Sequence, residues 1–409
     1  MEGQLSSNMK IVVVGIGAVG FFLCKYFIEN TDFKIKCVDK SIRNLRRLKQ
    51  FTTSTRISLH RLGLNNSSSL EKLIKDADLL INAATPSINK KLLEIALKNS
   101  VNYQDLASEL EDFINPEQLQ FSENFKQKGL VALINTGISP GLTNLIAGEI
   151  ASRFEAIETI KIRVFEDQRP PGTIWSWSPK LLLSDVLSPP VVYKKGKYIS
   201  SEPFGEPEYY DYPEPIGRRK AYLVYADEVS TLPKFIKVKN VNLKAAGSDI
   251  EFLMALYNMG LLSNTPLKIN GVMVSPYEVL SKIVKRVASI REIIQKVKEG
   301  LLEEATFGIV VEVIGKKDGI NKKIRGHIVF PSIKELIKIA PGSTHVSYPT
   351  ALVAGIMAKF IKKIQTVQQG VFPPEALHKS IRKRVLSELK KEGFNVVFEE
   401  IIKKRLIQK

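Results

Sequence analysis

Cysteine is nearly missing from this chain of 409 residues, with Cys24 and Cys37 the only two. That scarcity excludes a secreted scaffold stapled by disulfides and a zinc cluster built on cysteine. It fits a reducing, cytoplasmic compartment. Histidine is scarce as well. His60, His327, His345 and His378 are the only four, and no two stand at a metal-ligand spacing, so no metal is expected. Long apolar runs are lacking. The uncharged stretch nearest the start, residues 11–24, is 14 residues long and is broken by Gly15, Gly17 and Gly20. A membrane-crossing helix needs about 18 apolar residues, so no membrane association is expected. With only Lys10 ahead of it and no small-residue cleavage site behind it, the stretch does not read as a signal peptide.

Acidic residues are outnumbered, 42 Asp and Glu against 60 Lys and Arg, for a net charge of +18. Such a balance raises the possibility of a nucleic-acid partner. The distribution opposes it. Residues 375–409 hold ten basic residues and five glutamates, so +13 is spread over the remainder. Basic and apolar residues alternate, as in Lys34-Ile35-Lys36 and Lys237-Val238-Lys239, which is the pattern of solvated strand faces. No specific nucleic-acid partner is expected, and the dispersed charge attracts small anions. The remaining composition, 25% charged and 44% hydrophobic, is that of a globular protein. The length allows two or three domains.

Past a disordered leader at 1–8, strands and helices alternate. Strands are predicted at 10–14, 34–38, 57–59, 78–82, 101–105 and 131–135, and helices at 18–28, 41–50, 70–75 and 89–98. Six strands with crossover helices predict an α/β fold: a doubly wound parallel Rossmann sheet over 9–140. The pattern then changes. A strand is predicted at 159–165, followed by an irregular loop at 168–179. A hairpin over 191–199 turns at Lys195-Gly196. A helix over 248–260 has Ser248 as N-cap and Gly260 as its stop. A second hairpin joins 307–314 to 324–330 around Lys317-Asp318-Gly319. These elements describe a mixed α+β domain over 141–345 for substrate binding and dimerisation. Residues 346–409 hold a helix over 347–364, carrying the small residues Ala351, Ala354, Gly355 and Ala358. A basic amphipathic helix follows Pro373-Pro374.

The strongest chemical signal is Gly15-Ile16-Gly17-Ala18-Val19-Gly20, which follows a strand and opens a helix. Gly15 permits the tight turn, Gly17 lets a pyrophosphate approach the backbone, and Gly20 lets the helix pack on the sheet. The helix N-terminus adds free N–H groups and a partial positive charge. Asp39 ends the second strand, where a carboxylate accepts hydrogen bonds from an adenine ribose and repels a 2′-phosphate. NAD is therefore favoured, although Lys40 and Arg43 lie near enough to pair with the extra phosphate of NADP. Asp39 could also serve simply as a charge at a helix N-terminus. Ala84 and Thr85, in the small-residue exit from the fourth strand, would let the ribose lie close. Asp105, ending the fifth strand, would bind a substrate ammonium or relay its proton; a helix-capping role is the alternative. Gly137 and Pro140, just past the sixth strand, would face the nicotinamide. His345, in Pro341-Gly342-Ser343-Thr344-His345, sits on a loop able to reach the cleft, for catalysis or substrate contact. Trp175 and Trp177 flank Ser176, for core or dimer packing or for stacking on substrate.

In order, the glycine fingerprint, Asn82-Ala83-Ala84, Asn102-Tyr103-Gln104-Asp105-Leu106 and Gly137-Ile138-Ser139-Pro140-Gly141-Leu142 resemble the saccharopine dehydrogenase family. That family includes saccharopine, lysine 6- and carboxynorspermidine dehydrogenases. The segment from Tyr225 to Pro233, Ser275-Pro276, and Gly370-Val371-Phe372-Pro373-Pro374-Glu375 are similar too, so the likeness spans roughly residues 9–380. It implies NAD(P)-linked oxidation of a C–N bond in an amino acid, or the reverse reduction of an imine, by a homodimer whose C-terminal helices pack back on the first domain. The sequence departs from the pattern at Lys244-Ala245-Ala246-Gly247-Ser248, where family members carry an arginine-bearing strand near the substrate carboxylate. A non-catalytic NAD(H)-binding regulator is the alternative reading.

Overall fold

The structure, a computed structural model, describes residues 8–63, 67–176, 178–284 and 287–401. The leader up to residue 7, Trp177 and residues 402–409 lie outside the described residues. The first strand, Lys10–Val14, is buried from Ile11 onward. A parallel strand with helices on both faces must be apolar on both, and this one is. It pairs with Lys34–Asp39 on one side and Leu79–Asn82 on the other. The full parallel sheet runs Gly370–Phe372, Val131–Leu133, Asn102–Asp105, Leu79–Asn82, Lys10–Val14, Lys34–Asp39, Ile57–Arg61. The strand order reverses between Lys10–Val14 and Leu79–Asn82, and at such a switch point a crevice opens beyond the carboxyl ends.

Six strands were expected in this sheet, and it has seven among the described residues. The seventh, Gly370–Phe372, comes from near the end of the chain and pairs in parallel with Val131–Leu133. At three residues it is too short to show a periodicity of its own.

The second sheet is mixed. Its order is Glu208–Asp211, Arg218–Leu223, Val238–Ala246, Ala156–Arg169, Glu304–Lys317, Ile320–Val329, Val397–Ile401. Only Val238–Ala246 and Ala156–Arg169 run parallel within that series. The hairpin at Asp318-Gly319 has both turn residues at positive φ, the geometry that matches strand twist. Two readings need correction here. The segment 168–179 is not one loop: the strand continues to Arg169, and Ser178 caps a helix, Pro179–Leu187, through the Leu181 N–H. Ser248 is the first residue of helix Ser248–Asn258, not its cap. Its hydroxyl is held by the Gln168 backbone on the neighbouring strand.

One apolar core continues through both sheets, from Ile11 and Val13 to Ile309 and Val311. The buried helix Leu142–Ala151 packs on the mixed sheet, against Glu304–Lys317 and Ile320–Val329. The helix expected over 347–364 is divided at Phe360 into Ser347–Lys359 and Ile361–Val367. Its first half packs on Ala18–Asn30, the helix behind the glycine loop. Contact is close at Gly355, where a Cβ would meet the Tyr26 ring at 2.4 Å. Among the described residues, no helix is long and apolar enough to cross a membrane. Gly355→Leu should therefore force the two helices apart and destabilise the fold by roughly 1–3 kcal/mol. Urea unfolding should show a lower midpoint at unchanged slope.

Candidate functional site

A cleft of about 1290 Å³ separates the carboxyl edge of the parallel sheet from the face of the mixed sheet. Gly15, Gly17, Ala18, Val19, Asp39, Ala84 and Thr85 line its first half. Gly15 has φ +93°, and a Cβ on it would lie 2.7 Å from the Ala84 backbone nitrogen. The loop and the Ala84 turn are thus in contact, and no side chain fits between them. Gly17 differs: nothing stands within 4 Å of where its Cβ would be. That open space over bare backbone is where a pyrophosphate fits. Helix Ala18–Asn30 follows with no side-chain cap and no acid in its first turn, so its leading N–H groups are left for a ligand.

Asp39 holds this cradle in shape. Its carboxylate accepts the Ile16 N–H at 2.7 Å, the Ser41 N–H at 2.6 Å and the Asn44 amide at 3.1 Å, and it is 9% exposed. Asn82 does the same across the crevice. It accepts the Ala84 N–H at 3.0 Å and donates to the Thr85 carbonyl at 3.1 Å. Arg47 escaped the sequence reading. Its guanidinium donates to the carbonyls of Ile16 and Gly17 at 3.0 and 2.8 Å and stacks over Phe21. Its position four residues after Arg43 on one helix face was the available signal.

The second half of the cleft is acidic. Glu109, Glu111, Asp185, Asp227 and Glu228 line it, along with Glu166 on the mixed sheet. Asp227 and Glu228 open the helix Asp227–Phe235. Asp227 accepts the Ser108 N–H at 2.9 Å and a hydrogen bond from the Tyr225 hydroxyl. Burial pushes its carboxyl up to about 7, against the lowering effect of the Ser108 bond, and the Glu228 charge adds to the rise. Glu228 accepts from the hydroxyls of Ser139 and Thr143. Asp185 is raised well above the usual carboxylate range by burial and by the charges of Asp227 and Glu109. Among the described lining residues, Lys40 at the far end is the only cation.

The structure separates the expected site residues into two groups. Gly137 and Pro140 line the cleft beside Ser139. Ile16 and Gly20 do not line it. Ile16 supplies the N–H that Asp39 grips, and a Cβ on Gly20 would collide with the Gly15 carbonyl at 1.9 Å. Asp105 does not face the crevice. It is 1% exposed and accepts the Asn135 N–H at 2.8 Å and the Gln118 amide at 3.1 Å, tying two strand ends together. The following residues, Leu106 to Ser108, line the cleft in its place. His345 is fully buried behind the cleft-lining Glu166, 3.6 Å away, and does not reach the cavity. Trp175 packs on the apolar cluster that holds Leu183 and Phe204, behind the cleft-lining Phe204, and does not itself line the cleft. Lys244 turns away from the cleft to Glu208, while Leu243 and Ala245 beside it face inward.

Residues 11–133 match the saccharopine dehydrogenase NADP-binding domain, and residues 137–394 the C-terminal domain of the same family. A carboxyaminopropylagmatine dehydrogenase from Synechocystis sp. is 23% identical over 90% of this chain and 92% of its own. A carboxynorspermidine synthase from Vibrio cholerae is 24% identical over 68% of this chain and 72% of its own. An apo saccharopine dehydrogenase (L-Glu forming) from Saccharomyces cerevisiae shares the fold, with a TM-score of 0.71 at 13% identity, over 96% of this chain and all of that one.

The family's NAD(P)-binding domain includes the glycine loop. Because the Gly17 Cβ position is open, Gly17→Val should fold normally and fill the pyrophosphate space. Calorimetric titration should show NAD(H) and NADP(H) binding lost, with an unchanged circular dichroism spectrum.

Proposed function

The chain belongs to the saccharopine dehydrogenase family, NAD(P)-dependent oxidoreductases acting on the C–N bond of amino acids or imines, and from that premise we propose a substrate with more than one amino group. Carboxylated amines of the kind named in the carboxynorspermidine and carboxyaminopropylagmatine relatives fit better than saccharopine or lysine. The observation that carries this reading is the acidic half of the cleft. A chain of net charge +18 lines one half of the cleft with Glu109, Asp185, Asp227 and Glu228, of which Asp227 and Glu228 are buried, Asp185 is half-buried and Glu109 is exposed. Carboxylates gathered out of water repel one another and favour a polycation between them. The outward turn of Lys244 also leaves the arginine-strand position of the family without a cation toward the cleft.

The bound nicotinamide supplies the redox chemistry when present. The residues of the chain orient the amine and manage its proton. Asp227 is the proposed acid–base group, for it lines the cleft beside Ser108 and Tyr225 and titrates near neutrality. Below about 7 it is protonated and can donate to an imine nitrogen; above about 7 it is ionised and can accept a proton from an amine. Amine oxidation should then rise with pH through about 7, and imine reduction should fall over the same interval. Asp227→Asn should lower kcat by roughly 10²–10⁴-fold and flatten both limbs. A panel of carboxylated di- and triamines, lysine and saccharopine, followed by NAD(P)H absorbance, tests the reading. Faster turnover of lysine or saccharopine than of the longer amines would overturn the substrate assignment. No turnover of any would favour a cofactor-binding regulator.

We place NAD ahead of NADP because the Asp39 carboxylate stands where a 2′-phosphate would lie, with Lys40 as the opposing influence. Asp39→Asn keeps an acceptor for the Ile16 N–H and removes the charge. It should shift discrimination toward NADP by roughly 1–3 kcal/mol. An unmoved ratio of the two dissociation constants would show that Asp39 does not choose the cofactor.

A further inference from the structure

Beside the cleft, three elements aim side chains at one point. Glu166 comes from strand Ala156–Arg169, Asp249 from helix Ser248–Asn258, and His345 from the loop that precedes helix Ser347–Lys359. One donor atom from each lies within 4.8 Å of the other two. We propose that Glu166, Asp249 and His345 form a binding site for a divalent transition-metal ion of the zinc class.

The imidazole is what distinguishes this group from an ordinary acidic cluster. His345 is 0% exposed, and neither ring nitrogen has a hydrogen-bond partner. Nε2 faces Glu166 Oε1 at 3.6 Å, beyond hydrogen-bonding reach. A neutral imidazole always carries one N–H and one lone pair. Burying both without partners costs about 1–3 kcal/mol for each orphaned group, and such a group in a native fold calls for an explanation. A metal ion is one, because it takes the lone pair as a ligand. It also removes the repulsion between the two carboxylates, since two negative charges balance one divalent ion.

The donor types and surroundings agree. Zinc accepts imidazole nitrogen and carboxylate oxygen at about 2.0–2.2 Å, so a small contraction of the three donors would gather them around one ion. The carboxylates are already oriented. Ser176 Oγ donates to Glu166, and the Gln168 amide donates to Asp249 at 2.7 Å. Glu166 lines the cleft, which gives an ion a path in and leaves a further coordination position toward the cavity. The three ligands are 83 and 96 residues apart along the chain. No short motif marks them, so the spacing argument against a metal could not detect this site. Bound there, the ion would tie the mixed sheet to the loop that leads into the C-terminal helices.

The test uses the full chain, stripped with a chelator and dialysed. Titration with Co²⁺ should produce visible absorption bands that saturate at one ion per chain, and Zn²⁺ should displace them. Zn²⁺ should also raise the melting temperature. His345→Gln and Glu166→Gln should each weaken binding by more than about 100-fold, since loss of a mere partner of a ligand already costs 10–100-fold. Wild-type protein that yields no bands and no shift in melting temperature would overturn the proposal, leaving the carboxylates to share a proton. Saturable binding that survives both substitutions would overturn it equally, by placing the ion elsewhere. Neither readout requires amine turnover, so the result stands apart from the substrate assignment.

Discussion

The cofactor half of the cleft depends on how one carboxylate is held. Asp39 ends a strand that lies directly beside Lys10–Val14, so its side chain reaches the loop into which that first strand runs. By accepting the Ile16 N–H it fixes the turn between Gly15 and Gly17, and the Ser41 and Asn44 bonds keep it from rotating away. An Ile16 N–H left buried without an acceptor would cost about 1–3 kcal/mol. Asn82, at the end of the adjoining strand, shapes the Ala84 turn in the same way. A polar residue ends each apolar strand and folds the next loop into contact with its neighbour. The cradle follows from those two contacts, and a one-residue slip in either strand would destroy it.

Charge is partitioned between surface and cleft. The basic excess is spread over solvated faces, while the acids that matter are drawn into the cleft, where desolvation dominates. Asp227 titrates near 7 chiefly through burial, and Asp185 is raised by burial together with its acidic neighbours. The same arrangement that disfavours several ionised carboxylates in an empty cleft favours their ionisation around a cationic amine. Net charge, summed over the whole chain, obscures this local inversion.

The parallel sheet and its glycine cradle were legible because they rest on local rules: apolar strands, glycine at a crowded turn, and a carboxylate at a strand end. The two-residue turns at Lys195-Gly196 and Asp318-Gly319 were legible for the same reason. Asn270-Gly271 obeys that rule too and joins the small hairpin Leu267–Ile269 with Val272–Val274, which the reading passed over because each strand is only three residues long. The site residues that went astray are those whose direction is set by distant partners. Asp105 was placed at the correct strand end, but Asn135 and Gln118 turn it inward. His345 lies on the loop identified for it, yet the position of Glu166 puts the carboxylate, not the imidazole, in the cleft. Asp185, Asp227 and Glu228 become neighbours only when helices far apart in sequence converge on one cavity.

The origin of strand Gly370–Phe372 bears on how this protein is made. Synthesis proceeds from the N-terminus, and a domain normally folds once its own residues have emerged. Here the apolar strand Val131–Leu133 stays an open edge until residue 372 has left the ribosome, and the helix that covers Ala18–Asn30 is translated only shortly before. An unpaired, buried-type edge is a template for pairing with other chains. The nascent chain therefore carries its dinucleotide-binding layer incomplete for most of translation. The first half to be synthesised closes only after residue 372 has emerged.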